Sequence, residues 1–427
     1  VCQTAGHAQN RRSRMKVVVL TADANTLVYH RGDLIRDLAA CGCDVVTSAA
    51  EDYPHVTKFV ESVGGRHRSI RMVRSRISLT NDLDTFVDMW RLFRSEKPDA
   101  LFAYTIKSVV YGCVVAAFAG VPRIYALLPG LGFTFVKPTT LKGKIVSFIS
   151  RALHRFALKR ADVIFMQNQD DFELLTDLRI LPKGVPAFVT AGSGVNVDEF
   201  PHVPLAQDKV LAGGVVRLAL VSRLLISKGV VVFAEAARRI KARHPNAEFH
   251  LIGPFDPNPN RVDESQVAQW VAEGLLTHHG MVRDVARLLK DMHIFVLPTW
   301  YREGVPHATL EALSMGRPVI TTDSVGARET VSLTAQGEAQ RKASAPVREG
   351  SNGFLVEPQN VDAVVQSMEW YLQHPESIPA HGLESRRLAE EVFDVRIVNA
   401  LILREMGLQQ PEPVVAFSSV HLSSAAA

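Results

Sequence analysis

Cysteine is scarce in this chain of 427 residues: Cys2, Cys41, Cys43 and Cys113 stand near no second Cys-x-x-Cys and no histidine pair. That spacing supports neither a disulfide framework nor a zinc site, and a reducing cytoplasm fits it best. Long apolar runs are also missing. The longest near-apolar stretch, Val109 to Val121, is interrupted by Tyr111 and Gly112, and it falls short of the roughly 20 residues that span a bilayer. Val1 to Arg14 carries Arg11, Arg12 and Arg14 but lacks the apolar h-region of a secretory signal, so it reads as a disordered leader before Met15. A large charge excess is absent too: the formal net charge is +4, too small to argue for a nucleic-acid partner. With 47% apolar and 22% charged residues the composition excludes a disordered or coiled-coil protein.

What is present is an α/β grammar written twice. A chain of this length calls for two domains. Strand-like Lys16 to Leu20 leads into the helical pattern of Leu34, Ile35, Leu38 and Ala39, and Cys43 to Thr47 resumes as strand. The alternation continues through a helix near Asp82 to Ser95, strand Ala100 to Ala103, a helix from Ser108, strand Ile124 to Leu128, strand Val163 to Met166, a helix from Asp170 and strand Ala187 to Thr190. Pro201 to Gly214 has no period and reads as a linker. A second series then runs from strand Val216–Val221 through helix Val230–Ala242, strand Glu248–Ile252, helix Val282–Leu289, strand Ile294–Leu297 and helix His307–Met315 to strand Val319–Thr322. Repeated βαβ units imply parallel sheets covered on both faces. The expected domains are residues 15–205 and 215–394, followed by a helix over 395–410 that crosses back to the first domain and a disordered tail over 411–427.

The positive charge is uneven. Arg66, Arg68, Arg71, Arg74 and Arg76 share one segment, and Lys142, Lys144, Arg151, Arg155, Lys159 and Arg160 punctuate an apolar helix over 141–161. For that helix two readings stand side by side: a solvated basic face, or peripheral contact with an anionic membrane surface.

Two segments carry chemistry. In Tyr301-Arg-Glu-Gly-Val-Pro-His-Ala-Thr-Leu-Glu311, Glu303 stands in the loop that opens a helix and Glu311 rides about two turns inside it. Backbone N–H groups of Gly304, Val305 and His307 lie at the positive helix end, where a diphosphate or a sugar hydroxyl is well received. In Ser222-Arg-Leu-Leu-Ile-Ser-Lys-Gly229, Arg223 and Lys228 flank a loop between a strand and a helix. Alone they read as a solvated basic loop; with Glu303 and Glu311 in the same domain they read as cations for a pyrophosphate leaving group. Asp82-Leu-Asp84 has Asp-x-Asp form but sits at a helix start, where dipole stabilisation accounts for it and no metal site is expected. Gly130 and Gly132 either shape a turn or admit a substrate. His278 and His279 read as surface histidines.

The stretch Arg223 to Gly229 and the pair Glu303-x7-Glu311 resemble the signatures of family 4 glycosyltransferases. Similar motifs are Gly192-Ser-Gly-Val-Asn196, Gly280-Met-Val-Arg-Asp284 and Gly350-Ser-Asn-Gly-Phe-Leu-Val356. The first half, through Tyr104-Thr-Ile-Lys-Ser108, Pro129-Gly-Leu-Gly-Phe133 and Val163-Ile-Phe-Met-Gln-Asn-Gln-Asp-Asp171, resembles members that add N-acetylhexosamine to polyprenyl-diphosphate sugars in capsule, lipopolysaccharide and N-glycan assembly. The resemblance implies the GT-B fold, two Rossmann-like domains facing each other across a cleft, and a retaining transfer from a UDP-sugar without a required cofactor or metal. It also implies that Arg223 and Lys228 hold the pyrophosphate, that Glu303 meets the donor sugar and Glu311 the ribose, and that backbone near Met281 and Val282 meets the base. Where many relatives carry a histidine at the end of a strand in the first half, this chain has Thr105 and Lys107. Lys107 is thereby the expected acceptor-side group, with Glu303, Arg223 and Lys228 completing the catalytic set. The implied partners are a sugar nucleotide and a glycan or lipid-linked glycan, not nucleic acid, with the protein in the cytoplasm or at the inner membrane face. The competing readings are a sugar-nucleotide epimerase or a phosphorylase, whose acid–base or pyridoxal signatures are not recognisable here, and a non-catalytic nucleotide-sugar-binding protein.

Overall fold

The runs of β-branched and aliphatic residues become the strands of two seven-stranded sheets. The computed structural model describes residues 14–72, 79–135, 141–205 and 214–408. The expected leader (save Arg14), Arg74 and Arg76, most of the linker and the expected tail lie outside the described residues.

The first sheet holds β1 (Lys16–Leu20), β2 (Asp44–Ala49), β3 (Arg66–Ser69), β4 (Ala100–Tyr104), β5 (Arg123–Leu128), β6 (Val163–Met166) and β7 (Ala187–Val189), in the order β3-β2-β1-β4-β5-β6-β7. β1 runs parallel to β2 and to β4. Val17 to Leu20 and Ala100 to Ala103 are fully buried, as strands covered on both faces must be. The second sheet holds β8 (Val216–Val221), β9 (Ala247–Ile252), β10 (Thr277–His278), β11 (Ile294–Leu297), β12 (Val319–Thr322), β13 (Val347–Gly350) and β14 (Gly353–Val356), in the order β10-β9-β8-β11-β12-β14-β13. Its pairings are parallel except β13 with β14. Each sheet therefore has one place where the strand order reverses, between β1 and β4 and between β8 and β11. Ligands of open α/β sheets bind beyond the carboxyl ends of the strands at such a switch point.

By contacts the chain forms two compact units, Val1–Ala126 with Phe156–Val163 and Leu403–Ala427, and Leu127–Arg155 with Ile164–Ile402. In the first unit the Met406 carbonyl accepts hydrogen bonds from Arg123 Nη1 at 3.3 Å and Tyr125 Oη at 3.4 Å. The second unit has a core that includes Leu218 to Leu220, Phe233, Phe249, Phe295 and Phe354, closed by helices Val230–Lys241, Val361–Gln373 and Ser377–Glu391.

Two expectations need correction. The helix expected over Val282–Leu289 is confined to Ala286–Leu289, because Gly280 takes a positive φ of 64° and Asp284 Oδ1 accepts from Arg287 N at 3.1 Å, so a turn precedes a short helix. The second sheet does not end at Val319–Thr322, since β14 and β13 extend it through a tight hairpin at Ser351 and Asn352. In the arginine-rich segment, Arg66 and Arg68 lie on edge strand β3, where Arg66 meets Asp44 at 3.0 Å and Arg68 meets Glu96 at 3.4 Å, and Arg71 beyond it clasps Asp88 at 2.8 Å. Asp82 does lie in the first turn of helix Leu79–Glu96, but its carboxylate also receives Lys107 Nζ at 2.9 Å. Dipole stabilisation is thus only part of its role.

Candidate active site

The carboxyl ends of β8 and β11 deliver the two segments singled out by their chemistry. After β8 the chain makes a single 3-10 turn, Ile226–Lys228, and Gly229 takes a left-handed φ of 81° to start helix Val230–Lys241. A side chain at Gly229 would run into the Pro298 carbonyl, so the loops after β8 and β11 touch through bare backbone here. The Ser227 carbonyl then accepts from Trp300 N at 2.9 Å, Tyr301 N at 3.2 Å and Thr299 Oγ1 at 3.2 Å.

This tie brings Lys228 and Glu303 together. Lys228 Nζ donates to both carboxylate oxygens of Glu303, at 2.6 and 2.5 Å, with the two side chains only 11% and 18% exposed. Thr299 Oγ1 lies 3.5 Å from Glu303 Oε1, and the ammonium sits 5.6 Å from the centre of the Tyr301 ring. Burial raises the Tyr301 phenol above its ordinary value, and the nearby Arg223 opposes the shift. Arg223 itself reaches from the same loop to Asp256 at 2.7 Å and keeps half of its side chain in solvent. A guanidinium and an ammonium thus come from the one loop after β8, each held by a carboxylate.

Helix His307–Ser314 opens directly after this loop. The Pro306 carbonyl accepts from Thr309 N at 3.0 Å and Leu310 N at 3.3 Å, and the first-turn N–H groups ahead of these have no intrahelical acceptors. Glu311 lies on that helix with Oε1 3.0 Å from His307 Nδ1, both side chains mostly buried. Gly304 has no room for a side chain: a Cβ would meet the Pro129 carbonyl and Gln167 Oε1. Val305 is buried, whereas Met281 is 69% exposed and Val282 packs partly against the core in the turn after β10.

Sequence reasoning missed the second layer of this site. Arg302 forks onto Oδ1 of the fully buried Asp171 at 2.9 and 2.6 Å. Burial pushes the Asp171 carboxyl up, and Arg302 pulls it back. Asn168, which caps helix Gln169–Asp177, donates from Nδ2 to the Glu303 carbonyl at 3.1 Å. Glu329 Oε1 accepts from Gln169 N at 3.1 Å, and burial followed by Asp170 raises its carboxyl to about 7. The signal for Arg302 was its place beside Glu303, and that for Asn168 and Asp171 their place in the Val163–Asp171 motif; Asp256 and Glu329 carried none, because their partners lie far off in sequence.

Lys107 belongs to the first unit. It follows Thr105, a non-glycine residue at φ 71° where β4 ends, whose Oγ1 accepts from Ala22 N at 3.2 Å and donates to Ser108 Oγ at 3.1 Å. Strain of this kind persists only where surrounding structure enforces it and concentrates at functional sites. Lys107 pairs with Asp82 at 2.9 Å and lies 5.7 Å from the Tyr111 ring centre, so its ammonium is neutralised rather than free. The fully buried Arg31, 5.6 Å from the Tyr104 ring centre, is a further cation at this switch point, and burial lowers it to about 10. Among the described residues no group of three or more His, Cys, Asp or Glu is placed to hold a metal ion.

Two Rossmann-like sheets, each with one switch point, make up the GT-B fold. Residues 216–374 match the family model described as glycosyl transferases group 1, and residues 27–192 match the glycosyl transferase 4-like domain. The chain belongs to this glycosyltransferase family. It is 27% identical to the N,N'-diacetylbacillosaminyl-diphospho-undecaprenol alpha-1,3-N-acetylgalactosaminyltransferase of Campylobacter jejuni, over 60% of this chain and 67% of that protein. It is 26% identical to the UDP-Gal:alpha-D-GlcNAc-diphosphoundecaprenol alpha-1,3-galactosyltransferase of Escherichia coli, over 68% and 71%, and 26% identical to the capsular polysaccharide biosynthesis glycosyltransferase CapM of Staphylococcus aureus, over 75% and 80%. Among solved structures, HepE of Anabaena, crystallised with UDP and glucose, superposes with a TM-score of 0.69 at 14% identity, covering 92% of this chain and all of that one.

Proposed function

We propose that the chain is a retaining glycosyltransferase that moves N-acetylhexosamine from a UDP-sugar to a polyprenyl-diphosphate-linked acceptor in surface polysaccharide or glycan assembly. The observation that carries this reading is the Lys228–Glu303 pair at the second switch point, beside Arg223 and at the head of the helix bearing Glu311. A diphosphate entering there competes with Glu303 for Lys228 and with Asp256 for Arg223. The released Glu303 carboxylate then accepts from hydroxyls of the donor sugar, while Glu311 meets the ribose and the turn at Met281 and Val282 meets the base.

No side chain in this set is a strong nucleophile aimed at an anomeric carbon. The bond from the anomeric carbon to the donor phosphate breaks as the acceptor oxygen approaches from the same face, and the leaving phosphate takes the acceptor proton. The two cations stabilise the charge growing on that phosphate, and the rest is alignment. The relatives in C. jejuni and E. coli, named for undecaprenol-diphosphate acceptors, support the acceptor class; one transfers N-acetylgalactosamine and the other galactose. The test is a panel of UDP-hexoses and UDP-N-acetylhexosamines against lipid-diphosphate sugars, with product anomeric configuration read by NMR. An inverted product, or a preference for UDP-hexoses over their N-acetylated counterparts, overturns the corresponding part of the reading.

A further inference from the structure

Helix Leu141–Leu158 is amphipathic in the reverse sense. Its inner face buries Ser147, His154, Ala157 and Leu158, two of them polar. The opposite face is apolar and open to solvent: Ile145, Phe148, Ile149 and Phe156 fall on one side at helical spacing, with Phe148 72% exposed and Ile145 54% exposed. At the Phe156 end, Arg160 lies 3.6 Å from the Phe156 ring centre and 5.8 Å from that of Phe118, itself 73% exposed on helix Ile106–Ala119. A surface helix in water turns its apolar stripe inward; this one turns it out.

The charge around the patch has one sign. From Ala100 to Ala161 the sequence holds no Asp or Glu and nine Lys or Arg. On the helix, Lys144, Arg151 and Arg155 line one flank at 100° per residue, next to the apolar face, and Lys159 follows at its end. Among the described residues no carboxylate forms an ion pair with Lys144, Arg151, Arg155, Lys159 or Arg160. Exposed aliphatic and aromatic side chains beside a row of unpaired cations are complementary to one surface above others: acyl chains under anionic headgroups. A second copy of the chain fits less well, because a two-fold contact would set this acid-free segment against itself.

We propose that the 141–160 segment docks the protein on an anionic phospholipid bilayer, with Ile145, Phe148, Ile149 and Phe156 entering the interface and Lys144, Arg151, Arg155 and Lys159 meeting lipid phosphates. No helix among the described residues is long and apolar enough to cross a membrane, so the contact lies in the plane of the surface. The docking stands apart from the proposed sugar chemistry. The test is co-sedimentation of the full chain with vesicles of phosphatidylcholine alone or containing phosphatidylglycerol, over a range of salt. Binding only to the anionic vesicles, weakening as salt rises, is expected. Phe148→Glu with Ile149→Glu lowers binding at least about tenfold, and Arg155→Gln with Lys159→Gln lowers it and flattens the salt dependence. Both variants keep the parent melting curve, since the replaced side chains are at the surface, and both keep transfer to a water-soluble acceptor analogue. Absence of binding to anionic vesicles overturns the proposal, as does equal binding by Phe148→Glu/Ile149→Glu. A dimer in light scattering that this double variant dissolves, without vesicle binding, assigns the face to a second copy instead.

Discussion

Replacing Lys228 by methionine removes the ammonium and keeps most of the side chain's volume. In the protein as it stands, Nζ lies 2.6 and 2.5 Å from the two oxygens of Glu303, and the carboxylate is only 18% exposed. Taking one partner from a fully buried pair costs roughly 3–5 kcal/mol; with this residual exposure about 2–3 kcal/mol is expected. For a domain of this size that is a fall in melting temperature of about 5–10 °C. Lys228→Met with Glu303→Gln removes both charges and recovers much of the loss, so the double-mutant cycle shows a coupling of about 1–3 kcal/mol. Turnover behaves differently. Because the proposal has the ammonium stabilise the departing diphosphate, kcat/KM falls about a hundredfold in Lys228→Met, ~3 kcal/mol, and the double variant does not regain it. Differential scanning fluorimetry with and without UDP, together with steady-state transfer assays, separates the two effects. If Lys228→Met melts with the parent and the double variant is no better than either single, the pair is not coupled in the fold. If kcat/KM is also unchanged, the pyrophosphate role fails as well.

Three further outcomes follow from neighbouring geometry. Glu329→Gln stabilises the protein above pH 7: a carboxyl raised to about 7 favours the fold while protonated, and that contribution is lost as pH rises from about 4.5 through 7. After discounting for partial exposure the gain at pH 8 is about 1–2 kcal/mol, read from urea melts across pH, and a parallel shift at every pH refutes it. Arg302→Ala strands the Asp171 carboxylate, which is 1% exposed, and costs about 3–5 kcal/mol at pH 8; the deficit shrinks at low pH, where the protonated acid needs no partner. A loss independent of pH in chemical melts counts against that account. Gly229→Ala forces both a left-handed φ and a clash with the Pro298 carbonyl, lowering stability by at least about 2 kcal/mol and kcat/KM with it, whereas Gly42→Ala, at φ 82° in open space, costs about 1 kcal/mol and leaves activity intact. Equal effects of the two on kcat/KM exclude the loop contact as the cause.

The strands that carry the site were legible because they are buried on both faces and so appear as unbroken aliphatic runs, as in Val216–Val221 and Ile294–Leu297. Glu303 and Glu311 were legible because loop and helix spacing sets them after one strand, β11, and Lys228 because it follows another, β8, in a stretch that resembles the family's signature. β3 was hidden by its composition: Arg-His-Arg-Ser reads as solvated charge, and only pairing with Asp44 and Glu96 lets it sit at an edge. The partners that hold the site in its present form, Asp256 for Arg223 and Asp171 for Arg302, are tertiary pairings with no local period to betray them. Lys107 was singled out by its place at a strand end, while its neutralisation by Asp82 belongs to helix packing.

One oxygen atom has an outsized consequence for how this catalyst is altered. Since the Ser227 carbonyl serves Thr299, Trp300 and Tyr301 together, neither strand-end segment can be re-tailored in isolation. Swapping residues 222–229 from a homologue with another sugar preference, while leaving 298–304 behind, keeps a carbonyl at 227 but shifts it wherever the new loop turns differently, and with it the spacing of Lys228 and Glu303. Specificity engineering in this protein has to treat the two segments as a single exchangeable part.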